Sequence, residues 1–394
     1  MANGNKPRRI LHFCPLSTGG VATNAHHQAT ALVEAGADVT LLCSPEWSHA
    51  ETETNYRQVR KLTAPPKHGQ SSRILSRFRT ARSILANHRQ CVRSIRDGAY
   101  ANVLFASFTE YLAPVWAPVL RRMSNQGVWF GAMCLDPVRD YVVGPKWWHR
   151  WSVKNGYSFL SDAFVHHPIE LETFSSRSIE PTVVPHGEYP MPPPSCSSAE
   201  LKRELGIPDS DNVALCYGHL RDNKNLKTSI EAVAATPGYS LVVAGSEAAP
   251  GQIQSSDYVR FAKEIDAESS VFWKIGYQTD QDTSNLFQMS DCILLPYDSS
   301  FVSASGVLFI AVPFEVPLIA SCGDGPLAAA VQDYGLGIRI PKPTITQVSQ
   351  ALKSVDEVAE SARWNDFRHE HSYDRNAELL LDRIAVFHNL QNQE

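Results

Sequence analysis

Residues 213–234, VALCYGHLRDNKNLKTSIEAVA, decide how this chain is read. Val213, Ala214, Leu215, Cys216 and Tyr217 form a short apolar run closed by Gly218, whereas Leu226, Ile230 and Val233 recur at helical spacing. The segment GHLRDNKN between them is therefore a turn from a buried strand into the start of an amphipathic helix. Such a start presents N–H groups without intrahelical partners and the positive end of the helix dipole, so it favours an anion before any side chain is counted. Arg221 and Lys224 add two charges, one a planar fork for phosphate oxygens and the other a mobile point charge, a pairing suited to a diphosphate. Taken alone, the stretch also reads as a surface loop with two solvated cations.

A chain of 394 residues is too long for one ordinary core and suits two domains of roughly 150 to 200 residues. With 36 Lys plus Arg against 41 Asp plus Glu, nothing points to nucleic acid. Cys14, Cys43, Cys91, Cys134, Cys196, Cys216, Cys292 and Cys322 are scattered without a C-x-x-C pair, as buried thiols in a reducing compartment would be, with no zinc site. The sequence has no apolar signal core and no run long enough to span a bilayer, so a cytoplasmic protein is expected.

The chain opens on a βαβ pattern, with strands over residues 9–15 and 38–44 around a helix over 21–35. Its first turn, Ser17-Thr18-Gly19-Gly20, brings paired glycines to the carboxyl end of a strand, where open α/β sheets bind ligands and where backbone can approach them closely. It is not the G-x-G-x-x-G fingerprint, and a plain tight turn is the alternative. Residues 55–96 contain no acid but many cations, among them Arg57, Arg77, Arg79, Arg82 and Arg93, interleaved with apolar residues. We read a basic amphipathic helical region, either a solvated face on the domain core or a face drawn to anionic lipid.

Strands over 102–108 and 127–133 follow, with a helix over 112–123 between them. The second leads into CLDPVRDYVVGPKWWHRWSV, where Asp136, Arg139, Trp147, Trp148, His149 and Trp151 crowd together. Ring faces cover the apolar side of a pyranose while charged groups take its hydroxyls, although an aromatic cluster is equally at home in a core. After short strands over 161–167 and 182–185 comes the proline-rich MPPPSCSS, a semi-rigid linker. The second half repeats the pattern, with strands over 213–217, 240–244, 270–273, 292–296 and 318–321 and a final helix over 377–390.

Gly218-His219-Leu220-Arg221-x-x-Lys224-Asn225, followed by a helix, resembles the segment that opens the C-terminal domain of group 1, family 4-like nucleotide-sugar glycosyltransferases of the GT-B fold. The resemblance implies an α/β architecture of two Rossmann-like domains with parallel sheets facing across a cleft: 1–188 for the acceptor, 189–198 as linker, 199–370 for the donor, and 371–394 as a helix packing back. In that family a basic pair holds the donor pyrophosphate. This maps onto Lys224 and Arg221, with Gly218 and His219 beside them, although many members carry the arginine where this chain has His219. The glycine-rich loop maps onto Gly19 and Gly20 and the base-binding segment onto 272–277 with Tyr277, while Arg139 and Trp148 of the crowded aromatic stretch are the candidates for the acceptor.

Two departures make the chain a divergent member. The family's two glutamates, eight positions apart, fall on Val302 and Ile310 when aligned on Val316-Pro317, and its histidine falls within Cys134-Leu135-Asp136. What remains is Ser303-Ala304-Ser305-Gly306 before an apolar helix, whose amides at Ser305 and Gly306 can reach a phosphate. The resemblance thus implies a metal-independent hexosyltransferase without cofactor, taking a nucleotide sugar and a glycan or lipid-linked glycan acceptor. The expected setting is cell-surface polysaccharide biosynthesis at the inner face of a membrane. Lys224 and Arg221 would neutralise the leaving diphosphate, and Asp136 would be the base if the reaction inverts. The alternatives are an inactive homologue that binds a nucleotide sugar or glycan, and a sugar-nucleotide epimerase on the same architecture.

Overall fold

The computed structural model describes residues 8–393 apart from 50–52, 65–72, 108, 136–141, 143, 176–178, 248–250 and 392. The chain divides into two compact units, one of Met1–His186 with Ser372–Glu394 and one of Gly187–His371.

In chain order the first unit contains β1 (Arg9–Phe13), α1 (Gly20–Glu34), β2 (Asp38–Cys43), β3 (Arg57–Arg60), α2 (Arg73–Gly98), β4 (Asn102–Phe105), α3 (Ala113–Ser124), β5 (Trp129–Met133), α4 (Lys146–Tyr157), β6 (Asp162–Val165) and β7 (Thr182–Val183). The strands form one parallel sheet in the order β3-β2-β1-β4-β5-β6-β7. A parallel sheet is covered on both faces, so its inner strands are apolar throughout. Alternate residues sort to opposite sides: Leu11, Phe13, Val103, Phe105 and Phe130 face α2, α3 and α4, whereas Ile10, Leu41 and Leu104 face α1.

The second unit contains α5 (Ser198–Leu205), β8 (Asn212–Tyr217), α6 (Leu226–Ala234), β9 (Tyr239–Gly245), α7 (Ser255–Glu264), β10 (Val271–Ile275), α8 (Asp280–Met289), β11 (Cys292–Pro296), α9 (Gly306–Ala311), β12 (Leu318–Ser321), α10 (Pro326–Asp333), β13 (Gly337–Arg339), α11 (Ile345–Leu352), α12 (Val355–Ala359) and α13 (Trp364–Glu370). Its parallel sheet has the order β10-β9-β8-β11-β12-β13. Val213, Leu215, Ile293 and Leu295 pack to one side and Ala214, Cys216, Cys292 and Leu294 to the other.

The last helix, α14 (Tyr373–Gln391), belongs to the first unit, where Ala377, Leu380 and Ile384 join the core beside α1. A buried amide relay fixes its first turns. Gln28 Nε2 donates to Asn376 Oδ1 at 2.8 Å, and Asn376 Nδ2 donates to the Pro185 carbonyl at 2.7 Å. Asn376 is fully buried, so Asn376→Leu leaves a donor and an acceptor stranded and is expected to destabilise by about 2 kcal/mol. The measurement is amide hydrogen exchange of residues 373–391 in the variant; unchanged protection would remove the relay from the account of how α14 docks.

Several details depart from the expectations above. The basic region is not one helix. Arg57 and Arg60 lie on β3, an edge strand whose charged ends discourage further pairing, and the helix begins at Arg73. The strands β3 and β13 were not anticipated, being three or four residues long and partly exposed. The proline-rich stretch lies within the second unit: Tyr189 N donates to Phe309 O at 3.1 Å, Gln281 Nε2 to Pro193 O at 2.9 Å and Ser195 N to Asn285 Oδ1 at 2.8 Å. The eight cysteines are free thiols, all buried but Cys196.

Candidate functional site

In the second sheet β8 has β9 on one side and β11 on the other, so successive crossovers leave β8 in opposite directions. At such a switch point the loops beyond the carboxyl ends of the two strands diverge and leave a crevice. The residues that opened the sequence reading lie there. Tyr217 ends β8, and Gly218 follows with φ 97°, a conformation that favours glycine. The turn crosses onto the end of β9 through Gly218 N to Ala244 O at 2.9 Å and Leu220 N to Ser246 O at 3.0 Å. One short 3₁₀ turn, Asp222–Lys224, then leads into α6 through Asn225 in the left-handed region. Asn225 Nδ2 ties this corner to the end of β11, donating to Pro296 O at 2.8 Å and Asp298 Oδ1 at 3.0 Å.

This corner turns Lys224 inward. Its Nζ donates to the Tyr217 carbonyl at 2.5 Å, and a Cβ built at Gly218 would lie 3.2 Å from that Nζ and 3.9 Å from Val307 Cγ2. The ammonium and the first turn of α9 therefore flank the same glycine. Burial pulls the Lys224 pKa down to about 8, with Arg221 adding to the effect and Cys216 opposing it. Arg221 and Lys224 are the charged residues lining a small hollow with Cys216, Tyr217, Leu220, Leu226, Tyr258 and Leu294. His219 is held below its ordinary 6.5 by burial and then by the charges of Arg221 and Lys224, so it is neutral at pH 7.

The second half of the predicted donor set lies between β11 and α9. Ser303 and Gly306 are exposed, and nothing stands within 4 Å of a Cβ added at Gly306. Ser305 differs: the residue is only 3% exposed and its hydroxyl lies 3.2 Å from Tyr297 Oη. The loop leading to α9 is held by the turn after β12, where Gly323 N donates to Phe301 O at 2.9 Å. Val302 and Ile310 put no carboxylate here. The glutamate nearest in sequence, Glu315, is paired with Arg368 at 2.8 Å. Tyr277, just beyond β10, is 84% exposed.

Sequence reasoning did not single out Gly245 and Gly276, which end β9 and enter the turn after β10. With Gly218 they form a floor along three strand ends, at φ 97°, 136° and 134° for Gly218, Gly245 and Gly276. A Cβ on Gly245 would sit 2.1 Å from the Gly218 carbonyl oxygen, and backbone on both sides has nowhere to go. Gly245→Ala is therefore expected to displace the basic turn and weaken nucleoside diphosphate binding by about tenfold or more; isothermal titration checks this, and undiminished affinity would show that the turn does not hold the anion. A lone glycine closing each apolar strand was the available signal.

In the first unit Gly19 has φ 81° and precedes α1, with no side-chain cap and nothing within 4 Å of an added Cβ. Gly20 is the first residue of α1. The loop is held by Ser17 Oγ against Ser44 Oγ at 2.7 Å. Trp148 packs edge-to-face on Trp147 and Trp151, with centroids 5.8 and 5.3 Å apart. It lines a cavity of about 740 Å³ with Arg77, Tyr111, Val142 and Trp147. Asp136 and Arg139 lie outside the described residues. Among the described residues no group of three or more His, Cys, Asp or Glu side chains is placed to hold a metal ion.

The sequence model of the family described as glycosyl transferases group 1 matches residues 197–365. A D-inositol 3-phosphate glycosyltransferase of Mycobacterium tuberculosis is 27% identical over 150 residues, which is 38% of this chain and 30% of the relative. The match thus spans under a third of the length of that curated relative. Among solved structures, a glycosyltransferase from Rickettsia africae superposes with a TM-score of 0.69 at 13% identity over 99% of this chain and 100% of the other. The Anabaena protein HepE, solved in complex with UDP-glucose, gives 0.64 at 13% identity over 96% and 99%. At these identities the structural likeness is one of fold, and that fold is GT-B.

Proposed function

We propose, from the premise that residues 197–365 are a group 1 glycosyl transferase domain within a GT-B fold, that this protein transfers a sugar from a nucleotide-sugar donor to a glycan or lipid-linked glycan. The second unit binds the donor and the first unit the acceptor. Lys224 carries the reading: an ammonium held against the end of β8 by the Tyr217 carbonyl, beside the glycine that the start of α9 also touches.

As the glycosidic bond breaks, negative charge grows on the leaving diphosphate. Lys224 and Arg221 neutralise it, with the amides of Ser305 and Gly306 contributing from the other side of Gly218, and no metal is needed for that role. Gly218 and His219 form the turn beneath the phosphates, Ser303 borders them, and Tyr277 meets the base at the far edge of the sheet. In the first unit Trp148 with Arg139 receives the acceptor, and Gly19 and Gly20 form the glycine loop. The sugar is a hexose and the setting is cell-surface polysaccharide synthesis on the cytoplasmic side of a membrane.

The test is incubation with a panel of uridine and guanosine diphosphate sugars, with and without EDTA, following release of nucleoside diphosphate and the melting temperature together. Release unaffected by EDTA is expected. Val302 and Ile310, where the family has glutamates, favour one second reading: a binder without turnover, which would shift its melting temperature and release nothing. No shift with any nucleotide would end both.

The lowered pKa of Lys224 adds a pH signature. Below about 8 the side chain is an ammonium, and above it increasingly a neutral amine that attracts no phosphate. Affinity for UDP should therefore fall as pH rises, by about tenfold from pH 7 to 9 if only the charged form binds. His219 is already neutral in that window. A flat titration profile would separate Lys224 from the phosphates.

A further inference from the structure

The helices on one face of the first sheet reach unequally far. The helix α2 has 26 residues, about 39 Å at the helical rise, beside a strand of about 13 Å. It leads almost directly into β4, so its last turn lies at the amino edge of the sheet and its first turns overhang the carboxyl edge. The helices α3 and α4 follow β4 and β5 and start at that same edge. Large apolar side chains are exposed there: Phe78 at 71%, Trp147 at 65%, Val142 at 57% and Trp151 at 48%. Val142 and Trp147 also line the cavity of about 740 Å³, with walls from Ile84 on α2, Tyr111 before α3 and Trp148 on α4.

Such a patch is unusual on a surface facing only water, and its charge says what covers it. Arg77, Arg79 and Arg82 are exposed on the overhanging turns, and the sequence from Asn55 to Arg96 holds no acidic residue. Indole and phenyl rings bordered by guanidinium groups match the headgroup boundary of an anionic bilayer. A water-soluble anionic glycan would satisfy the arginines but leave Phe78, Val142 and Trp151 in water. Among the described residues no helix is long and apolar enough to cross a membrane.

We infer that this edge of the first unit docks on an anionic lipid surface. Phe78, Trp147 and Trp151 enter the headgroup boundary, the three arginines face lipid phosphates, and the cavity receives the apolar chain of a lipid drawn from that surface. The inference rests on the transferase reading for one point alone, that the lipid so drawn is the acceptor.

The full chain is sedimented with phosphatidylcholine vesicles, with and without phosphatidylglycerol. Binding is compared with that of Phe78→Ser/Trp147→Ser/Trp151→Ser and of Arg77→Glu/Arg79→Glu/Arg82→Glu. The wild type should bind the anionic vesicles about tenfold or more better than the neutral ones, and each variant should lose at least that factor. Both variants should keep the wild-type melting temperature and its shift with UDP or GDP, which certifies their fold and the donor site. Wild-type protein that ignores anionic vesicles, or a triple-serine variant that binds them undiminished, overturns the inference. Vesicle binding without any nucleotide shift would leave the docking intact and sink the transferase reading; a nucleotide shift without vesicle binding would do the reverse.

Discussion

Lys224→Ala is expected to lower nucleoside diphosphate release by about 10²- to 10³-fold, the range for losing one preorganised charge stabiliser in a water-poor site. The side chain is partly buried and lies against Gly218 and the Tyr217 carbonyl, so water replaces its charge poorly once it is gone. Stability should move little or rise, because the variant loses one hydrogen bond but also sheds a cation whose burial already pulls its pKa down to about 8. This separates a catalytic effect from a folding one. Arg221 is exposed at the same hollow and is screened by solvent, so Arg221→Ala should cost about tenfold. Release by Lys224→Ala within a few-fold of wild type would refute the proposed mechanism.

The largest effect on stability is expected at Asp162, which only 5% exposure leaves almost without water. Its Oδ2 accepts Trp129 Nε1–H at 2.6 Å, and its Oδ1 accepts Arg383 Nε and Nη2 at 2.7 and 2.5 Å. One carboxylate thus joins β5, β6 and α14. Asp162→Ala strands the indole N–H of a fully buried tryptophan, while Arg383, 42% exposed, can turn to water. The expected loss is about 3 kcal/mol, most of it from the indole and the lost charge-assisted bonds. Arg383→Ala should approach the same figure for the opposite reason, since it removes the countercharge from a buried carboxylate. A protein of two units need not unfold in one step, so the appropriate measurement is amide hydrogen exchange of residues 129–133 and 373–391. Unchanged protection there would mean that the carboxylate does not hold the three elements together.

The parts of the fold legible in the sequence were those encoded locally. Unbroken apolar runs such as CILLP and LVVAG announce buried parallel strands, and Leu226, Ile230 and Val233 announce a helix, because burial on both faces or along one stripe leaves its period in the chain. The edge strands β3 and β13 left no such mark, since an edge is half-solvated and short. In the basic stretch, cations interleaved with apolar residues mark the helix α2, but the same cations at Arg57 and Arg60 lie on β3, because charge does not distinguish strand from helix. The site divided in the same way. The turn 218–225 carries its chemistry in consecutive residues, whereas Gly245 and Gly276 matter through neighbours on other strands.

The sequence by itself determined the two-fold α/β repeat and the strand-to-helix corner with its cations, since each is a matter of residue type and short spacing. Tertiary structure alone decided that Lys224 points inward to the Tyr217 carbonyl, that the Ser305 hydroxyl is buried against Tyr297, and that Asp162 and Asn376 anchor the final helix. It also gathered Phe78, Trp147 and Trp151 at one edge. The reason is physical: periodicity is a property of neighbours along the chain, whereas burial, pairing and exposure of a polar or aromatic group are set by segments that may lie hundreds of residues apart, such as Asp162 and Arg383.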